Sequence, residues 1–312
     1  MTGLSTEQRE EQYALRHEVG AARLRRDVVR AEGPDAITFL QGQLSQDLLA
    51  LSAGDVTHAL LLEPGGKVDA WLRVWRREGD EVLLDVDAGA GQGVLERLGR
   101  FKLRVDVELE LLDWELVAIR GPRTTMPHCP PTVMPATVDW AGLRGIDLLG
   151  PQVSVPQGVR EVDPAALEAL RVEAGWPAMG SELGPALEPL VIPAEAGQWL
   201  IDASVSFTKG CYTGQELVAR VDSRGASTPR RLRGLVIDGD AVPATPAEVL
   251  VTGTNRGTVT SAACSAELGG AVGIGYLHRT VEPGQRVTLR WQGDSGPEVG
   301  DATVRDLPLV SG

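Results

Sequence analysis

The residues of this 312-residue chain whose types and spacing suit chemistry gather in one octapeptide, Lys209-Gly210-Cys211-Tyr212-Thr213-Gly214-Gln215-Glu216, followed by Leu217-Val218-Ala219-Arg220. Half of it has a purely local reading. Thr213-Gly214-Gln215-Glu216 is a T-x-x-E capping box, in which the threonine hydroxyl and the glutamate carboxylate each satisfy the other's free backbone N–H, so a helix is expected to begin at Gly214. Tyr212 before the cap and Leu217 one turn in have the spacing of a hydrophobic staple. Lys209, Gly210, Cys211 and Gln215 are left over. A lysine, a thiol and an amide at the positive end of a helix are the parts of an anion or redox site, and the dipole and the Lys209 charge would both favour a Cys211 thiolate. Capping asks for no cysteine there. The plainer alternative is a small side chain that fills space at a structural joint.

A second candidate lies on the clearest helix in the chain, from Asp163 through Gly175. Asp163 is its cap, Pro164 its first residue and Gly175 its stop. Arg171 and Glu173 sit two positions apart, about 200° around the helix, so they cannot pair along it. At least one of them faces a pocket or another domain, unless each is simply solvated. His128-Cys129-Pro130-Pro131 has too few ligands for a metal and reads as a Pro-rich loop.

Bulk properties bound what these residues serve. The 43% hydrophobic content supports a real core, and 30 basic against 43 acidic residues give a net charge of −13. A protein that gripped a phosphate backbone by its overall field would be basic, so direct nucleic-acid binding is not expected. Cys129, Cys211 and Cys264 are odd in number and far apart, which argues against a disulfide framework and a cysteine-only metal site. No signal pattern or membrane-length apolar run is present, and a reducing cytoplasm is the expected setting. Gly273-Ile274-Gly275 has His278 at the position of the third fingerprint glycine, and no P-loop, G-x-S-x-G or H-E-x-x-H occurs.

The elements that must position these groups follow from turn signals and periodicity. Residues 1–20 read as a polar tail or an exposed first helix. Asp27 to Ala31 has strand character, and Gly33-Pro34-Asp35 opens a helix with Pro34 at its first position. A meander follows, Thr57 to Glu63, Lys67 to Arg77 and Glu81 to Asp87, with Trp71, Val74 and Leu84 expected on its packed face. A helix around Val94 to Phe101 precedes strands at Val105 to Leu112 and Glu115 to Arg120. Ser223 to Pro229 reads as a polar linker. Beyond it, Leu232 to Ile237, Gly257 to Ala262, Val272 to Leu277, Arg286 to Arg290 and Ala302 to Asp306 have the spacing of a small β-barrel. The fold class is α+β.

In order along the chain, these segments resemble the YgfZ family of folate-binding proteins, relatives of the aminomethyltransferase (T-protein) of the glycine cleavage system. Lys209 through Glu216 with Ala219-Arg220 is similar to the family signature. Gly33 through Asp47 with Phe39-Leu40-Gln41-Gly42-Gln43, the Pro64-Gly65-Gly66-Lys67 turn, Arg171 through Pro177 and Gly180-Ser181-Glu182-Leu183 extend the match. The resemblance implies two mixed α/β parts with ferredoxin-like elements around a central tetrahydrofolate pocket, plus a C-terminal barrel. The expected division is a tail over 1–20, domains over 21–122 and 123–228, and a barrel over 229–312.

By the same resemblance Glu173 holds the pterin ring and Arg171 lines the pocket wall. A carboxylate accepts two parallel N–H bonds from a 2-amino-pyrimidinone edge as it does from a guanidinium. T-proteins carry a G-G-x-x-D-D segment, whereas Gly65-Gly66-Lys67-Val68 is followed here by Asp69-Ala70, and T-proteins lack the cysteine at Cys211. The resemblance therefore implies an aminomethyltransferase-like scaffold without that activity. The expected role is in assembly or repair of iron–sulfur clusters, supporting cluster-dependent enzymes such as those that modify tRNA, with Cys211 as a redox or transfer thiol. A folate-dependent one-carbon transferase using Asp69 and a purely structural interaction protein are the alternatives.

Overall fold

Ser5 decides how the chain begins. Its hydroxyl accepts from the Gln8 N–H at 3.2 Å and the Gln8 side-chain oxygen accepts from the Ser5 N–H at 2.9 Å, so helix α1 (Thr6–His17) opens on a capping box. Ala14 and Leu15 on its inner side are buried. The computed structural model describes residues 3–223, 228–239, 241–293 and 296–311, and for 221–223 the backbone alone. Most of the expected linker, 224–227, lies outside them.

After α1 come β1 (Gly20–Glu32), α2 (Ala36–Gln43), β2 (Val56–Leu62), β3 (Val68–Arg76) and β4 (Glu81–Asp87). Next are α3 (Gly91–Gly99), β5 (Glu108–Leu112), β6 (Glu115–Arg120), β7 (Met134–Trp140), β8 (Leu143–Gly150) and β9 (Arg160–Glu161). Four helices follow, α4 (Pro164–Ala174), α5 (Pro193–Ala196), α6 (Gln198–Ser204) and α7 (Gln215–Ser223). The last strands are β10 (Arg230–Ile237), β11 (Ala247–Val251), β12 (Thr254–Ser265), β13 (Gly270–His278), β14 (Arg286–Gly293) and β15 (Gly296–Arg305). The chain forms two compact units. One comprises Met1–Leu24, Leu116–Pro177 and Pro229–Gly312, and the other Arg25–Glu115 and Ala178–Thr228.

The second of these units is built on the meander. Strands run in the order β2-β3-β4-β1 with β5 also pairing β1, and the antiparallel register sets Val74 opposite Leu84 and Leu84 opposite Val29. Those residues, with Ala70, Leu72 and Val86, form one aliphatic face, against which Phe39 and Leu40 of α2 and Val94 and Leu98 of α3 pack. Successive strand residues point to opposite sides, so Trp71 is on the other face from Val74 and Leu84. The expectation that all three share a face is corrected. That other face is aromatic and charged yet buried, with Trp71, Arg73, Trp75 and Asp85 each under 8% exposed. Helix α2 also starts two residues later than Pro34 implied, because the Asp35 carboxylate is turned to accept from the Asp106 N–H at 2.8 Å.

In the first unit, β6, β8 and β7 are neighbours in that order around Val117, Ile119, Ile146 and Leu148. β10 pairs with both β13 and β15, which closes the barrel β10-β13-β12-β11-β14-β15. Leu235, Val249, Val259, Leu277, Leu289 and Val304 fill it. Five of its strands stand where the sequence placed them. β11 was not expected; it is a five-residue strand preceded by Pro243 and Pro246. The fold is thus a mixed α/β body with a closed six-stranded C-terminal barrel, as expected.

Candidate functional site

Helix α7 begins at Gln215, one residue later than the capping-box reading. Gly214 has φ +82°, which excludes it from the helix, and a Cβ there would lie 2.6 Å from the Glu63 carbonyl oxygen and 2.8 Å from Leu62 Cβ. Gly66, at φ +74°, is equally constrained, since its Cβ would fall 2.5 Å from Leu217 Cβ. The Pro64-Gly65-Gly66-Lys67 turn and the octapeptide are therefore two halves of one close backbone contact. Reaching back from the helix start is Gln215, whose Oε1 accepts from the Tyr212 N–H at 3.2 Å.

Lys209 is committed to α2. Its ammonium donates to the carbonyls of Gln41, Leu44 and Gln46 at 2.5, 2.7 and 2.9 Å, which are orphaned acceptors at and just beyond a helix C-terminus. Burial pushes its pKa down to about 8 against the opposing pull of Asp47, so at neutral pH it remains a donor to all three. Gln41 tightens the same loop, donating to Asp47 at 2.9 Å and accepting from the Leu48 N–H at 2.7 Å. Tyr212 is buried with its ring 5.3 Å from the Lys209 nitrogen, and burial pushes its hydroxyl up to about 12.

Gly210 and Cys211 are not tied down in this way. Both are exposed. A Cβ at Gly210 would meet nothing within 4 Å, and its φ is not left-handed, so packing does not require glycine there. Neither Cys211 nor the half-buried Cys129 and Cys264 is in a disulfide, and burial raises the pKa of Cys129. Glu216 and Arg220 lie on the exposed side of α7, and Thr213 is half-buried.

Arg171 and Glu173 belong to the other compact unit. Asp163 caps α4 by accepting from the Ala165 N–H at 2.8 Å, and Gly175 ends it at φ 70°. Arg171 is used up as a brace. It grips Glu168 with two nitrogens at 2.7 Å each, donates to Ser261 Oγ of β12 at 2.7 Å and reaches the Trp176 carbonyl at 2.5 Å. Glu173, 1% exposed, is different. Its Oε2 pairs with Arg16 of α1, while Oε1 is buried without a hydrogen-bond partner. Burial raises its pKa, the Ser265 hydroxyl and Arg16 pull it down, and Glu267 adds to the rise. Beside it is a cavity of about 190 Å³ whose wall includes Arg9, Tyr13, Arg16, His17 and Glu267. A buried carboxylate oxygen lacking a donor is costly, by about 1–3 kcal/mol, and fits a ligand that brings an N–H.

Asp69, at the start of β3, forms an ion pair with Arg97 of α3 at 3.3 Å. Burial raises its pKa, Arg97 and Arg100 oppose that, and Glu63 reinforces it. Ala70 is 1% exposed within the aliphatic core. Sequence reading missed Arg16, 157 residues from its partner Glu173, and missed the buried Asp85 network; strand alternation through Arg73 and Asp85 was the one available signal.

Residues 230–310 match the family described as glycine cleavage T-protein C-terminal barrel domain. Over 84% of this chain and 76% of its own length, an aminomethyltransferase from Rubrobacter xylanophilus is 28% identical. The iron-sulfur cluster assembly factor IBA57 homolog, mitochondrial, of Pyricularia oryzae is 26% identical over 70% of this chain and 57% of its own length. The solved structure of glycine cleavage system aminomethyltransferase T from Bartonella henselae superposes with a TM-score of 0.78 over 99% of this chain and 91% of that one, at 19% identity. This chain therefore has a T-protein-like fold, and its last six strands are the barrel domain of that fold.

Proposed function

We propose that this protein is a cytoplasmic, folate-binding accessory factor of the YgfZ type, acting in assembly or repair of iron–sulfur clusters. Through its iron–sulfur clients it would sustain cluster-dependent enzymes, tRNA-modifying ones among them. One observation carries the folate reading, the buried and half-satisfied carboxylate of Glu173 beside a cavity. A tetrahydrofolate pterin offers that carboxylate the paired N–H donors it lacks. Arg171 supports the site by holding α4 to β12. The similarity to an iron–sulfur assembly factor homolog favours the cluster role, and the exposed Gly210-Cys211 pair supplies a thiol to it.

Glu173→Gln is expected to weaken tetrahydrofolate binding by about 1.5–3 kcal/mol, the worth of a charge-assisted contact, while the fold is kept. Calorimetric titration of both proteins checks this. Equal affinities would remove Glu173 as the anchor.

The aminomethyltransferase relatives favour a second reading, a folate-dependent one-carbon transferase using Asp69. The Asp69–Arg97 pair and the burial of Ala70 speak against it. The protein is expected to form no methylenetetrahydrofolate when given the aminomethyl-loaded carrier protein of glycine cleavage. Ala70→Asp is expected to destabilise it, since the new carboxylate would enter an aliphatic core. Turnover by the wild type would make the transferase the better reading.

A further inference from the structure

Arg16 does to Glu173 what a ligand would do, but incompletely. Its guanidinium meets Oε2 alone, and Oε1 is left buried and unpartnered. A guanidinium and a 2-amino-pyrimidinone edge present the same kind of N–H fork to a carboxylate. The geometry points to Arg16 as the specificity-determining residue of the Glu173 pocket, a built-in occupant that yields only to a ligand edge carrying two parallel N–H donors. This rests on the reading of Glu173 as the pterin anchor.

The exchange follows from the inventory of donors, in which the nearby Ser265 hydroxyl is felt by the carboxylate but leaves Oε1 without a hydrogen bond. A ligand with one N–H either exchanges with Arg16 at Oε2, gaining nothing, or fills Oε1 beside a guanidinium that stays in its way. An edge with two donors replaces the single contact and satisfies the orphan as well. The relief of an orphaned acceptor is worth roughly tenfold in affinity, which is the margin by which two-donor ligands are selected.

The backbone need not move for this. Helix α1 is fastened one turn before Arg16, where the Gln12 side chain donates to the Cys264 carbonyl at 3.0 Å and accepts from the Ala266 N–H at 2.8 Å. Glu11 adds a third tie, accepting from the Asp163 N–H at 3.2 Å. Only the Arg16 side chain has to turn. A second carboxylate is at hand to receive it, because Glu267 lines the same cavity, is close enough to be felt at Glu173, and is held at 3.3 Å by the neighbouring His17.

The test is calorimetric titration of the full chain with 5-formyltetrahydrofolate, which keeps the 2-amino-4-oxo edge, for the wild type, Arg16→Met, Glu173→Gln and the double variant. Arg16→Met is expected to bind at least about tenfold tighter than wild type, because the ligand no longer has to displace the charge-assisted contact between Arg16 and Oε2 of Glu173. The double variant is expected to match Glu173→Gln within about twofold, because without the carboxylate Arg16 has nothing to occupy. Arg16→Gln, which keeps a polar cover on Glu173, repeats the measurement should the methionine variant melt below the assay temperature. Binding that is unchanged or weaker without Arg16, while Glu173→Gln still loses affinity, would overturn the inference and leave the anchor standing. No binding by the wild type, or full binding by Glu173→Gln, would overturn the anchor itself and this inference with it.

Discussion

Asp85→Asn is expected to destabilise the protein by about 3–5 kcal/mol, the usual cost of removing one partner from a buried ion network. Asp85 is fully buried on β4 and directly opposite Arg73 of β3. Its Oδ2 accepts from Arg73 Nε at 2.7 Å and from the Trp75 indole N–H at 3.2 Å, and its Oδ1 from Arg26 Nε at 2.5 Å. Arg26 also pairs with Asp87, whose other oxygen accepts from the Met179 N–H at 2.9 Å. The asparagine would leave two guanidinium groups facing each other with half their compensation gone. Asp87→Asn should cost less, because Asp87 is 32% exposed and water can replace the lost charge.

The same network predicts a pH signature. Burial alone would raise the Asp85 pKa, but Arg26 and Arg73 outweigh it and hold the carboxyl below its ordinary value. A folded-state pKa below the unfolded value of about 3.9 means that the contribution is complete above about pH 4 and disappears as pH falls through the folded-state value. Denaturant midpoints of wild type and Asp85→Asn should thus differ most near neutrality and converge in acid. A difference under about 1 kcal/mol at pH 7 would show that the network is replaceable.

What the sequence made legible were features governed by neighbours in the chain. Asp163, Pro164 and Gly175 announce α4 because cap, first residue and stop act within one turn, and the meander and five barrel strands follow from alternation and turn residues. β11 was missed because five residues between prolines and a Thr252-Gly253 turn give periodicity too little length. Trp71 lies across the sheet from Val74 and Leu84 because parity along β3, and not hydrophobicity, decides which side a strand residue takes.

Long-range polar contacts were beyond that kind of reading. The carbonyls that hold Lys209 are 163 to 168 residues away from it, and nothing in a lysine's identity says which distant helix end it will cap. The octapeptide thereby changed meaning. Lys209, read as a cation serving the thiol, spends its donors on α2, and Gly214, read as the first helical residue, is a point of backbone contact with the Gly66 turn. Sorting out these structural duties is what isolates Gly210 and Cys211.

Cys211→Ala is expected to abolish the protein's function in cells while leaving its melting temperature within about a degree of wild type. The stability half follows from exposure, since truncating a surface thiol removes no core contact and surface substitutions of this kind stay within about 0.5 kcal/mol. The functional half follows from elimination. Tyr212 is core, Gly214 is a steric necessity, Gln215 closes the turn and Lys209 caps α2, yet none of these contacts uses the sulfur of Cys211 or the missing side chain of Gly210. A glycine that no packing requires, next to a thiol open to solvent, leaves room for another molecule to approach the sulfur. Access also orders the three thiols. Cys129 is half-buried with its pKa raised by that burial, and Cys264 is half-buried within a barrel strand, so Cys211 should be alkylated first by iodoacetamide at neutral pH, with the site read by peptide mass. The cellular readout is the activity of cluster-dependent enzymes in cells lacking the protein and resupplied with either version. Rescue by Cys211→Ala as complete as by the wild type would reduce the octapeptide to a joint between α2, the Gly66 turn and α7.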